Sequence, residues 1–320
     1  MATTMFDGID RIEVYRIPLT TRFRGLDVRE GVLLHGEAGW SEFSPFWDYD
    51  AEQSRPWFEA AMESATREFP RMERSDVEIN ATVPAVGPDE AHRIARSFGS
   101  ATAKVKVAES GSTHKEDQAR LEAVRDALGP EAKIRIDANA GWAKSEAVKR
   151  IGQLDRAAGG LEYVEQPGRT IADMAWIRSR VDVPIAADES VRLADDPLEV
   201  IRKDAADIMI LKVQPMGGIT RCLQIAEDAD VPVVVSSALE SSVGIAMGLA
   251  LATSLPELPY ACGLGTARLL ATDVVADPLI SGNGRLTSFR QDIDELGLEV
   301  VKAPEDVRER WMERLSHYAS

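Results

Sequence analysis

Five residues that could build one metal-dependent active site recur along the chain: Lys106, Asp137, Glu165, Asp188 and Lys212. They lie 31, 28, 23 and 24 residues apart, close to the length of one strand plus one helix. That spacing sets each residue at the same end of successive parallel strands, where a (β/α) barrel assembles a catalytic ring. Three carboxylates converging on one barrel mouth repel by several kcal/mol at about 4 Å in a partly dry cleft, unless a cation lies among them. All three are oxygen donors, with no Cys or His beside them, which favours Mg²⁺ over Zn²⁺, with Mn²⁺ as the alternative. Any one of them alone could merely end a strand. Three in succession at matching strand ends point to a shared site.

Neighbouring residues extend the set. Asn139 follows Asp137 by two and could orient its carboxylate or a bound water. Glu189 adjoins Asp188, and strand alternation would turn it the other way, leaving Asp188 as the ligand. Lys104 and Lys106, in Ala-Lys-Val-Lys-Val, share one side of a strand. Inside a barrel two ammonium groups are costly without a function or a negative neighbour. Lys104 is therefore expected to push the pKa of Lys106 down toward the range of a base. Lys212 closes the sixth strand, four strands round from Lys106, so the two amines would approach a bound substrate from opposite sides. A divalent cation between two lysines suits removal of a proton α to a carboxylate.

The elements that must position these residues are legible as alternating patterns. Short apolar runs at 102–107, 133–137, 161–165, 184–188 and 207–212 each carry or precede one candidate, and helical periodicity fills the gaps, as at 115–128. The stretch 76–83 reads as the first barrel strand, with 232–236 and 260–263 as the seventh and eighth. Residues 11–17, 31–35 and 39–43 read as antiparallel strands, and 51–68 as a helix closed by Pro70. After about residue 277 the pattern changes to short strands at 285–289 and 298–301 and a final helix at 304–315. The expected fold is α/β: a modified (β/α)8 barrel over 76–276 with a small α+β capping domain. Residues 1–75 form its first part, and 277–320 return to it, because a lone two-stranded ribbon is marginal.

Composition narrows the function. The 320 residues carry a net charge of −16 with 44% hydrophobic and 28% charged residues. That composition is ordinary for a soluble globular protein, and the charge argues against nucleic acid or an anionic membrane as partner. Cys222 and Cys262 read as small buried hydrophobes, not a disulfide framework. The first eleven residues include Asp7 and Asp10 and no apolar core of signal-peptide type. The longest apolar stretch, 243–255, is too short to span a bilayer. A cytoplasmic location is expected.

With Lys-Val-Lys on the second strand and a lone lysine on the sixth, the chain resembles the enolase superfamily, specifically its muconate-lactonizing subgroup. More narrowly it resembles the o-succinylbenzoate synthase family. The residues behind that are Thr20-Thr21-Arg22-Phe23-Arg24-Gly25, Arg29-Glu30-Gly31-Val32, Gly39-Trp40-Ser41-Glu42-Phe43-Ser44-Pro45-Phe46, Ser236 to Gly244, and Gly263-Leu264-Gly265-Thr266. The resemblance implies a Mg²⁺-assisted dehydration of 2-succinyl-6-hydroxy-2,4-cyclohexadiene-1-carboxylate in menaquinone biosynthesis. It assigns Lys106 as base and acid, Lys212 as electrostatic stabiliser, and Asp137, Glu165 and Asp188 as ligands. Ser236, Ser237, Gly263 and Thr266 are expected near the substrate's second carboxylate. Cap loops around Phe23-Arg24 and Phe46-Trp47 are expected to close over the ring, with Arg24 as a candidate contact. The cap is short for the subgroup, and a monomer is expected.

Two other readings compete. An N-succinylamino acid racemase or dipeptide epimerase would use the same lysines as opposed bases. The epimerase would be expected to carry a carboxylate on the eighth-strand loop, and 263–266 has none. A non-catalytic barrel binding protein would be expected to have lost a ligand or a lysine, and all five are present.

Overall fold

The computed structural model describes residues 6–287 and 289–319. Residues 1–5 of the leading acidic segment lie outside it. The chain opens with an antiparallel sheet of β1 (Ile9–Phe23), β2 (Leu26–Gly36) and β3 (Gly39–Phe43). The β1–β2 hairpin turns at Arg24 and Gly25, both with positive φ (52° and 73°), as a two-residue turn of right-handed strands requires. Helix α1 (Ala51–Thr66) follows, started by a capping box between Asp50 and Gln53.

The barrel is built from β4 (Asp76–Glu78), β5 (Ala81–Val83), α2 (Pro88–Ser97), β6 (Thr102–Lys106), α3 (His114–Leu128), β7 (Lys133–Asp137) and α4 (Lys144–Ala158). It continues through β8 (Tyr163–Glu165), α5 (Ile171–Arg178), β9 (Ile185–Ala187), α6 (Glu189–Arg192), α7 (Glu199–Arg202) and β10 (Ile208–Leu211). It ends with α8 (Ile219–Asp228), β11 (Val233–Val235) and α9 (Ser242–Ser254). Strands β5 to β11 form one parallel sheet in sequence order. Two single parallel bridges, Ile79 with Cys262 and Ser236 with Gly263, close it, so the fold is the modified barrel with a capping domain.

Three expectations change. The predicted first strand, 76–83, divides: β4 leaves the barrel to pair antiparallel with β12 (Arg285–Thr287), and only β5 joins the sheet. The predicted eighth strand is reduced to the two bridges, one to each neighbour, at Cys262 and Gly263; a Cβ at 263 would lie 2.4 Å from Ser236 Oγ, which glycine avoids. The predicted strand at 298–301 is helix α10 (Glu295–Val301), which starts where the Asp294 carboxylate accepts from the amides of Leu296 and Gly297. That cap offsets the strand preference of Val300 and Val301.

The tail packs against the first sheet. Tyr15 bridges Lys302, and Ala303 N–H donates to Val14 O at 2.9 Å. The last helix, α11 (Glu305–Ser316), buries Trp311 against the edge of Phe43. Helix α9 is buried along nearly its whole length, which explains its unbroken apolar run. Among the described residues no helix is long and apolar enough to cross a membrane.

Candidate active site

Strand register levels the catalytic candidates. In the parallel sheet Lys106 pairs with Asp137, and Asp137 with Glu165, so three side chains of adjacent strands point inward at one height. Asp188 leaves β9 just after Ala187, and Lys212 leaves β10 just after Leu211. All five predicted residues therefore stand at the carboxyl ends of their strands, with Lys104 one layer deeper.

Each carboxylate meets an ammonium. Lys106 Nζ donates to Asp137 Oδ2 at 2.5 Å, Lys212 Nζ to Asp188 Oδ2 at 2.6 Å, and Lys104 Nζ to both Glu165 oxygens at 3.0 and 3.1 Å. Burial opposes ionisation of Asp137, but Lys106 and Lys104 outweigh it and lower its carboxyl to about 2. Asp188 is likewise lowered against its burial, by Lys212 and Arg192. Glu165 is the least compensated: burial first, then Asp137, raises it to about 7. Burial also opposes the Lys104 charge, yet Glu165 and Asp137 prevail and raise its pKa. The expectation that Lys104 acts on Lys106 as a bare positive neighbour thus changes, since Glu165 matches its charge.

Among the described residues no three Asp, Glu, His or Cys side chains are gathered closely enough to hold a metal; here the carboxylates face ammonium groups instead. The donor chemistry fits a hard divalent cation all the same. Three fully buried carboxylates rise from consecutive strands, and such a set of oxygen donors is what a hard divalent cation takes.

Asn139 sits at φ 41°, a costly conformation for a residue with a Cβ and one found at functional sites. It receives Lys106 Nζ at 2.6 Å, and its own amide donates to Asp137 Oδ1 at 3.0 Å. Its Nδ2 reaches Glu189 at 3.2 Å. Glu189 therefore does not turn away as strand alternation implied: the strand has ended at Ala187, and Glu189 begins a helix beside the cleft.

Three residues were not anticipated. Gln166, at φ 42°, accepts from the amides of Asp188 and Ser190 at 3.0 and 3.1 Å and so fixes the turn that presents Asp188. Arg192 donates to Asp188 at 3.1 Å, to Glu189 at 3.0 Å and to the Tyr49 hydroxyl of the cap. Arg192 had a signal: it is four residues from Asp188 and three from Glu189, neighbouring positions on a helical turn. Tyr49 had none, because its contact spans 143 residues.

The cleft above this ring holds about 630 Å³. Ser236, Ser237, Gly263 and Thr266 all line it, with Ser237 Oγ 2.6 Å from Thr266 Oγ1. Phe23, Arg24 and Phe46 line it from the cap, and the Lys106 ammonium lies 5.5 Å from the Phe23 ring centre. Trp47 departs from expectation, packing at 4.7 Å on Trp311 outside the cleft. Past the turn after Lys212, Glu63 of α1 accepts the Ile219 amide at 2.6 Å and fills the start of α8. Cys222 and Cys262 are buried free thiols.

Comparison with known proteins agrees with this architecture. The enolase N-terminal domain-like model matches residues 14–65 and the enolase C-terminal domain-like model residues 88–296. A protein of Thermobifida fusca named o-succinylbenzoate synthase is 55% identical over 90% of each chain. One of Mycolicibacterium smegmatis with the same name is 47% identical over 97% of this chain and 95% of its own. Among solved structures, muconate cycloisomerase from Pseudomonas fluorescens superposes with a TM-score of 0.75 at 20% identity, over 93% of this chain and 99% of its own. The L-Ala-D/L-Glu epimerase from Bacillus subtilis gives 0.74 at 24%, over 91% and 98%. At those identities the structures speak for the fold alone. From the two domain matches and these relatives, the chain belongs to the o-succinylbenzoate synthase family of the enolase superfamily.

Proposed function

We propose that the chain converts 2-succinyl-6-hydroxy-2,4-cyclohexadiene-1-carboxylate to 2-succinylbenzoate by syn dehydration, the o-succinylbenzoate synthase step of menaquinone biosynthesis. The observation that carries this is the pair of ammonium groups, Lys106 and Lys212, on opposite sides of one mouth, each on a buried aspartate. Their setting in a chain 47–55% identical to proteins of that name supplies the substrate.

Superfamily members with this C-terminal domain generally bind Mg²⁺. Asp137, Glu165 and Asp188 would hold it here, with Mn²⁺ as a substitute. When bound, the cation supplies Lewis-acid stabilisation of the charge that develops on the substrate carboxylate. Lys106, as the free amine, takes the proton α to that carboxylate. It then returns the proton to the departing hydroxyl, which leaves as water as the ring becomes aromatic. Lys212 stays protonated and stabilises the negative charge from the opposite side. Asn139 orients Lys106, and Lys104 balances Glu165. Ser236, Ser237, Gly263 and Thr266 receive the succinyl carboxylate, and Arg24 overhangs it. We expect a monomer, because the cap is short for the subgroup.

The test is purified protein with Mg²⁺ and the cyclohexadiene substrate, followed by ultraviolet absorbance of the aromatic product, with an EDTA-treated control. Metal-dependent turnover is expected. None in a folded, Mg²⁺-loaded sample would overturn the proposal.

A further inference from the structure

Arg192 stands where two branches of the site meet. One branch runs through Asp188, which accepts Arg192 Nε at 3.1 Å on one oxygen and Lys212 Nζ at 2.6 Å on the other. The second runs through Glu189, which accepts Arg192 Nη2 at 3.0 Å and Asn139 Nδ2 at 3.2 Å, and Asn139 in turn accepts Lys106 Nζ at 2.6 Å. The remaining terminal nitrogen, Nη1, donates to the Tyr49 hydroxyl. A planar guanidinium offers its donors in a fixed fork, so fixing one edge fixes the direction of the others.

Tyr49 itself is held. Arg314 of α11 donates to the carbonyls of Tyr49 and Phe46 at 2.7 and 2.9 Å. The Tyr49 ring packs against Phe46 and Trp57 with centroids 6.1 Å apart in each case. The hydroxyl is thus a fixed point that the cap presents to the barrel. Arg192 is only 8% exposed at its side chain, so water cannot readily replace that partner.

We propose that Arg192, anchored from the cap by Tyr49, is a positioning residue for both lysines, aiming Lys212 through Asp188 and Lys106 through Glu189 and Asn139. This rests on the catalytic reading of the lysines given above. It deepens that reading by making the cap part of the machinery that orients them, besides a wall of the cleft.

The experiment compares wild type with Tyr49→Phe, Arg192→Met and the double variant. The first readout is competitive acetylation of the metal-free protein by acetic anhydride, with mass-spectrometric rates for Lys106, Lys212 and, as control, exposed Lys302. Tyr49→Phe, which keeps the ring packing, is expected to change the rates of both site lysines by about threefold or more and leave Lys302 unchanged. The second readout is steady-state kinetics. Arg192→Met is expected to lower kcat by about 100-fold with KM within about threefold, and Tyr49→Phe by about tenfold. The double variant should be no worse than Arg192→Met alone, since the hydroxyl acts only through the guanidinium. Unchanged labelling of Lys106 and Lys212 in folded Tyr49→Phe, or additive losses in the double variant, would overturn the inference. Labelling is read without turnover, so failure of the dehydratase assignment would appear separately, as absence of activity in a wild type whose lysines still respond to Tyr49→Phe.

Discussion

The cap meets the barrel in two regions of opposite character. Behind the cleft lies a buried seam. There Glu42 of β3 accepts from Tyr15 Oη at 2.8 Å, Ser44 Oγ at 2.6 Å, the Ser241 amide at 3.1 Å, the Gly244 amide at 3.2 Å and the Ser241 hydroxyl. Arg29, 2% exposed, donates to Leu239 O at 2.7 Å and to Ser44. Ser44 N–H also reaches Gln214, two residues past Lys212, at 3.0 Å. Over the cleft, by contrast, the hairpin tip carries solvent-facing side chains such as Arg24, and the Tyr49–Arg192 contact is a polar link beside it. A buried polar network with every member satisfied fixes one arrangement; a sparse, solvated contact leaves room for substrate. The seam sets where the cap sits, and the mouth face decides what it does there.

The sharpest break of that comparison lies in the lysines, which should matter to chemistry and little to folding. Lys106→Ala and Lys212→Ala are each expected to lower kcat by about 10⁴-fold or more, with the native fold retained by circular dichroism. Turnover within tenfold of wild type in either would remove the mechanism.

At the seam the order reverses. Glu42→Ala strips the acceptor from Tyr15, Ser44, Ser241 and Gly244 at once and leaves Arg29 less balanced. Removing one partner from a buried charged network costs about 3–5 kcal/mol. Urea unfolding should show that loss, whereas kcat of the fraction that remains folded should stay near wild type. A variant that unfolds like wild type would mean that the seam does not set the cap.

Glu240 gives the seam a pH signature. Burial first, then Glu42, raises its carboxyl from 4.5 to about 7. With the folded pKa above the unfolded one, the native state binds the extra proton. The resulting stability is therefore complete below about pH 4.5 and lost as pH rises to about 7, an order of 3 kcal/mol at 1.36 kcal/mol per unit. Glu240→Gln keeps an acceptor for the Ala238 amide and removes the titration. Its unfolding free energy should fall less than that of wild type between pH 5 and pH 8, and equal slopes would exclude Glu240 as the source.

What the sequence disclosed follows the same division. Lys106, Asp137, Glu165, Asp188 and Lys212 were legible because strand ends recur at a fixed chain interval, which one-dimensional spacing records. The seam was quoted only as motifs around Glu42 and Ser241, because its contacts join residues about 200 positions apart and no periodicity marks such a pairing. Glu189 was misplaced because alternation holds only while a strand continues, and β9 ends one residue before Asp188. The Leu298–Val301 segment read as strand from its branched apolar residues, although Asp294 just upstream carried the helix-start signal. The first barrel strand was read whole because nothing local shows that Asp76–Glu78 pairs with Arg285–Thr287 instead.

The smallest expected effect tests the mouth face itself. Arg24 stacks 3.8 Å above the Phe46 ring and pairs with Asp48 at 3.4 Å, both near solvent. Together these contribute about 1 kcal/mol or less. Against them, a non-glycine residue at φ 52° costs about 1–2 kcal/mol, which glycine would not. In Arg24→Gly the two effects offset, so the unfolding free energy should shift by no more than about 1 kcal/mol, and any larger change must appear in substrate binding. If the guanidinium meets the substrate, KM should rise by about three- to tenfold with kcat little changed, since an interaction made equally in ground and transition states is lost from KM. An unchanged KM would reduce Arg24 to a turn residue and leave the serines and Thr266 of the barrel as the holders of the second carboxylate. A fall in kcat at constant KM would mean that the hairpin tip acts on the lysines, as Tyr49 is proposed to do, and that the two faces of the cap differ less than their packing suggests.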